Sequence, residues 1–139
     1  MQKVERFGVS MSRELLRRFD QVIGGRGYRT RSEAIRDVVR AYLVDSEWSV
    51  KGAEVVGTIT LIYDHAIHDL PHLLSEVQHQ FHEKVLCSTH VHLDHENCLE
   101  VVVLRGPAEA VREVADRLIA ARGVKHGKLV CTTTGAALS

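Results

Sequence analysis

Two imidazoles and a thiol sit close together in the run His90-Val91-His92-Leu93-Asp94-His95-Glu96-Asn97-Cys98. The spacing is H-x-H, then five residues, then Cys. Imidazole nitrogen and thiolate sulfur are the donors that zinc and the later first-row transition metals favour. From Val85 to Asp94 the chain alternates as a strand does, so residues two apart share a face. His90 and His92 stand with Leu86, Ser88 and Asp94, and Cys87, Thr89, Val91 and Leu93 take the other side. Asp94 to Asn97 has turn chemistry, and Cys98 opens a second strand through Leu104. A hairpin of this kind returns the thiol beside both imidazoles. One chain then offers three ligands, one short of a four-coordinate site. Ligand spacing by itself allows Zn(II), Cu(II) or Co(II).

The elements around this hairpin alternate strand and helix. Glu54 to Tyr63 reads as a strand. Asp69 is positioned to cap a helix with Pro71 in its first turn, and Leu70, Leu73, Leu74, Val77 and Phe81 give it an apolar stripe. His72, Glu76 and His79 fall opposite that stripe. Pro107 to Arg122 is a second helix closed by Gly123, and Lys125 to Thr132 is a last strand. The order is β-α-β-β-α-β, a ferredoxin-like split unit. The helices should cover one sheet face. The other is expected to carry His90, His92, Cys98 and Glu100, and to need a second subunit over it. On this reading Cys87 is a core cysteine and Cys131 is structural. His79 points away from its own core and is the best-placed fourth ligand, supplied to a neighbour's hairpin. On geometry alone His72 and His82 are near-equal choices.

The N-terminal part is different. Arg6 to Ser10 can be extended, with Phe7 and Val9 on one face and Arg6, Gly8 and Ser10 on the other. Ser12 caps a helix to about Ile23, which Gly24-Gly25-Arg26-Gly27 ends. Thr30-Arg31-Ser32-Glu33 fits a capping box for a second helix to about Glu47. One strand and two helices cannot enclose a core alone, and a twofold mate would supply the missing layer. The paired strands would form a ribbon of the width that a DNA major groove accepts, with Arg6, Gly8 and Ser10 facing outward.

Charge divides the chain in the same place. The whole protein is neutral, with 18 basic and 18 acidic residues in 139. Residues 1–51 hold 11 basic and 7 acidic residues, whereas residues 52–139 hold 7 and 11 and all nine histidines. Two modules are expected, 1–50 for DNA and 51–139 for metal and assembly. Three cysteines without an export signal point to the reducing cytoplasm, and no apolar run is long enough for a membrane span. There is no Ser-His-Asp grouping, phosphate loop or evident carboxylate pair, so an enzyme is not expected.

Two resemblances follow from these motifs. Gly27 to Arg36, with its Arg-Ser-Glu-Ala-Ile-Arg run, resembles the turn and second helix of ribbon-helix-helix DNA-binding proteins. That likeness implies that Thr30 and Arg31, at the helix start, meet a phosphate. Over almost its whole length the chain resembles the nickel-responsive transcriptional regulators (NikR), through that run, Val-Gln-His and His-Val-His-x-x-His-x-x-Cys-Leu-Glu. The resemblance implies an α+β protein, a ribbon-helix-helix domain followed by a ferredoxin-like (ACT-like) domain, assembled as a homotetramer (a dimer of dimers) on operator DNA. It implies one square-planar Ni(II) per subunit, held by His90, His92 and Cys98 of one subunit and His79 of another. Glu100 would be a nearby support. It also implies repression of nickel-uptake genes and a potassium-type cation at Glu33 and Asp37. Co(II) or Zn(II) sensing by the same architecture is the alternative, and a metal-dependent enzyme a more remote one. Asp64 to Asp69 departs from the family in carrying no Lys or Arg for DNA.

Overall fold

Alternating side chains over Glu54–Asp64, Val85–His92, Asn97–Pro107 and Val124–Thr132 form four strands, β1 to β4. In the computed structural model, which describes residues 3–139, they make one antiparallel sheet in the order β2-β3-β1-β4. Four helices complete the chain: α1 Arg13–Gly25, α2 Arg31–Glu47, α3 Leu70–Gln80 and α4 Ala108–Ile119. From β1 onward the order is β-α-β-β-α-β, the expected ferredoxin-like unit. The chain divides into two compact units, Met1–Arg40 and Ala41–Ser139, so the division falls within α2.

The first unit holds α1 and most of α2. Ser12 caps α1 as expected, its hydroxyl accepting from the Leu15 N–H at 3.2 Å. The Thr30 hydroxyl accepts from the Glu33 N–H, and the Glu33 carboxylate accepts from Arg29 N–H, each at 3.2 Å. Arg6 to Ser10 does not form the expected strand: residues 3–12 make no regular element in the single chain. A lone strand has no neighbour for its backbone donors and acceptors, so nothing in one copy holds it.

The second unit owns the hydrophobic core. One strand face buries Val55, Ile59, Leu61 and Tyr63 from β1 and Val102 and Leu104 from β3, against Leu70, Leu74 and Val77 of α3 and Val111, Val114 and Leu118 of α4. Pro71 sits in the first turn of α3 as expected. Asp69 occupies the N-cap position, but its φ of 64° turns the side chain away from the helix amides and it makes no capping bond. Its carboxylate lies 3.2 Å from His68 Nε2 instead.

Gly127 on β4 shows how closely α4 presses on the sheet. A Cβ there would stand 2.6 Å from Ile119 Cγ1 and 3.1 Å from Leu61 Cδ2. Overpacking a finished core costs about 1–3 kcal/mol. Gly127→Val is therefore expected to lower stability by that amount in denaturant unfolding, and a midpoint equal to that of the parent would show a looser interface.

Candidate metal centre

The β2–β3 ladder sets His92 directly opposite Cys98 and His90 directly opposite Glu100. Asp94 holds the connecting turn, accepting from the Glu96 and Asn97 N–H groups at 2.9 and 2.8 Å and from the Asn97 amide. These bonds hold its carboxyl down at about 2. The hairpin thus brings two imidazoles and a thiol onto alternate rungs of one face, as their spacing suggests.

The face they occupy is not the expected one. Cys98 and Glu100 are 2% and 1% exposed, on the sheet face that the helices cover. Both faces of β3 are apolar, so alternation alone cannot tell which one meets α3 and α4. The uncovered face carries Val91, Leu93, Leu99, Val101 and Val130, with Cys87 exposed beside them rather than in the core. Cys131, expected to be structural, is exposed too. His90 and His92 share the parity of Cys98, but they lie on edge strand β2 and stay exposed.

Glu100 organises the buried side of the site. His90 Nε2 lies 2.5 Å from its carboxylate, and the Gln78 amide of α3 donates to it at 3.3 Å. Burial raises the Glu100 pKa, while His90 and Gln78 pull it down. Tyr63, which faces Cys98 across the β1–β3 ladder, stands with its hydroxyl 3.3 Å from His90 Nδ1. Burial, then the Glu100 carboxylate and the Cys98 sulfur, raise the phenol pKa far above its usual value. Tyr63 and Gln78 did not stand out from spacing, because only the β1–β3 register and the approach of α3 bring them here. His65 is the other unforeseen neighbour. Its ring meets His92 edge-on at 5.2 Å, and its Nδ1 is buried without a hydrogen bond.

The donor set suits a borderline transition metal: two exposed imidazoles and a thiol out of bulk water. Among the described residues, no group of three or more His, Cys, Asp or Glu is placed to hold a metal ion within one chain. His90 has both ring nitrogens engaged, so ligation requires it to release Tyr63 or Glu100. His79 is exposed in the last turn of α3, with its ring 6.0 Å from that of His82, and it is not gathered to the hairpin. His72 and His82 are likewise exposed.

The residues expected to meet DNA lie in the first unit. Arg6, Gly8, Ser10 and Thr30 are exposed, and the Arg31 guanidinium forms a two-point pair with Asp20 at 2.8 and 2.7 Å. Of the two carboxylates expected to hold an alkali cation, Asp37 accepts from the Tyr28 hydroxyl at 2.7 Å and from Arg40 at 3.1 Å. Glu33 is committed to the start of α2.

Comparison with known proteins adds three findings. Residues 56–132 match the NikR C terminal nickel binding domain family, and residues 5–46 match the ribbon-helix-helix protein, copG family. A protein of Geobacter sulfurreducens is 57% identical over 94% of both chains, and one of Nitratidesulfovibrio vulgaris 55% identical over 97% of both. Both are provisionally named nickel-responsive regulators. An uncharacterized protein of Thermotoga maritima is similar in fold over 56% of this chain and 96% of its own, at TM-score 0.50 and 18% identity.

Proposed function

The chain belongs to the family of nickel-responsive regulators, and from that premise we propose that it is a DNA-binding transcriptional regulator that answers to Ni(II). The β2–β3 register carries the reading, since it sets His92 against Cys98, with His90 two residues away on the same face. The relatives' names and the ribbon-helix-helix match support it.

His90, His92 and Cys98 would serve as ligands from one copy, and the exposed His79 would complete the set from another, one site per subunit. Bound Ni(II) would supply a centre that favours four donors in a plane, a preference that tetrahedral Zn(II) does not share. Glu100 would keep one nitrogen of His90 hydrogen-bonded, and the other would face the metal once Tyr63 releases it. Drawing on a second copy for His79 makes metal affinity a property of the assembly, a homotetramer in this reading. The metal shifts the population only if the DNA-competent arrangement binds it more tightly.

At the other end, Arg6, Gly8 and Ser10 would face base edges once two copies pair their N-terminal segments. Thr30 and Arg31 would meet a phosphate at the start of α2, with Arg31 shared between that phosphate and Asp20. An alkali cation at Glu33 and Asp37 would have to displace Tyr28 and Arg40 from Asp37. The outcome is repression of nickel-uptake genes in a cytoplasmic setting. No described helix is long and apolar enough to cross a membrane.

The test is fluorescence anisotropy of labelled DNA from upstream of the gene, with Ni(II), with Zn(II) and with chelator. Tight, salt-sensitive binding with Ni(II) alone is the expected result. Binding that ignores metal would remove nickel from the reading, and equal binding with Zn(II) would make the protein a sensor of another metal.

A further inference from the structure

Resting on that reading, we infer that α4 carries the state of the metal site to the end of α2 through two arginine–aromatic clamps, Arg117 on Phe81 and Arg112 on Trp48. All four residues lie in the second unit. The inward face of α4 presents Val111, Val114, Ala115 and Leu118 to the core. Arg112 and Arg117 are five positions apart, about 140° around a helix, so they leave α4 on either flank of that buried stripe.

Arg117 reaches α3. Its guanidinium carbon lies 5.2 Å from the centre of the Phe81 ring, and it donates to the Gln80 side chain at 3.2 Å. Phe81 is the C-cap of α3, two residues beyond His79. Any rearrangement that draws His79 into a metal site must move this end of the helix, and Arg117 holds it.

Arg112 reaches the other way. Its guanidinium carbon lies 5.2 Å from the centre of the Trp48 ring, and it donates to the Trp48 carbonyl at 2.9 Å. Trp48 directly follows α2 and is 3% exposed. Its indole N–H donates to the Thr132 carbonyl of β4 at 2.8 Å. The ring fills the space above Gly57, where a Cβ would come within 3.2 Å of Trp48 Cη2. The chain after it is bonded as well: Ser49 to Ser46, Val50 to Glu47, Ala53 to Val50, and Ala108 to Ala53. Residues 48–53 are therefore a fastened joint and not a slack linker. A shift of α4 reaches the last turn of α2 without being lost on the way.

Trp48 is the only tryptophan in the chain, so it reports on its own clamp. In metal-free protein, Arg112→Met should move its emission to longer wavelength and raise its quenching by acrylamide. In the parent, Ni(II) should change Trp48 emission in step with the thiolate-to-nickel absorption. Arg117 is half exposed, so Arg117→Met should fold. It should also keep that absorption titration, while the Trp48 response at saturating Ni(II) falls about fivefold, the low end of ordinary coupling between sites. Arg117→Lys should retain part of the response. An equal Trp48 response in the parent and Arg117→Met would overturn the inference, because it would mean direct quenching by the metal. So would bound Ni(II) with a silent Trp48. Absence of thiolate absorption in the parent would instead sink the metal site itself, and the clamps would then have no signal to carry.

Discussion

Replacing Cys98 with alanine is expected to lower Ni(II) affinity about a hundredfold and to remove nickel-dependent DNA binding at any practical metal concentration. Four-ligand structural metal sites in small domains are worth roughly 10–16 kcal/mol, or about 3 kcal/mol per ligand, and each 1.4 kcal/mol is tenfold. The thiolate should be worth at least its share, since it is the softest donor available and lies on the buried side of the sheet. The variant should still fold. Its core neighbours Tyr63, Val102 and Leu104 are unchanged, and the Asp94 turn does not depend on the thiol. Cys87→Ala and Cys131→Ala serve as controls, because both are exposed and neither faces His92 across the ladder. Isothermal titration with Ni(II), with circular dichroism to verify folding, decides the matter. Parent-like affinity in Cys98→Ala would remove the thiol from the ligand set.

Much of this is legible in the sequence, because the signals are local. Ser12 and Thr30 cap their helices through bonds three residues long. The hairpin register follows from turn residues that bond one another. The harder features depend on contacts between distant segments. Val101 and Val102 are alike to any periodicity argument, so the burial of Cys98 and Glu100 needed the positions of α3 and α4. Asp69 has the right identity for a cap, but its left-handed backbone spends the side chain on His68. Trp48 reads as an isolated aromatic at a helix end. Its socket is made by Gly57, Arg112 and Thr132, none of them near it in sequence. Tyr63 belongs to an apolar strand face by pattern, and only the ladder shows its hydroxyl meeting His90.

The second large effect is expected at Phe7. The first unit buries only Ile23 and Ala34 among its described hydrophobic residues, while Phe7 is 73% and Val9 63% exposed. Phe7 and Val9 line a groove of about 800 Å³ with Met11, Leu16 and Ile35. Surface of this kind in so small a unit calls for a second copy of the same segment, and pairing would also satisfy the backbone of residues 3–12. Burying a phenylalanine contributes about 1.5–3 kcal/mol, and a twofold interface counts the residue twice. Phe7→Asp should thus weaken the paired ribbon by about 4 kcal/mol, close to a thousandfold, before the cost of burying a charge is added. DNA binding should be lost with or without metal. Ni(II) titration should match that of the parent, because the ligands belong to the other unit. This pattern is the converse of Cys98→Ala, and the two variants together separate reading the operator from sensing the metal. Anisotropy with labelled DNA, run beside the Ni(II) titration, measures both. If Phe7→Asp binds DNA within threefold of the parent, the N-terminal segments do not pair, and the groove must be covered by something other than a second copy.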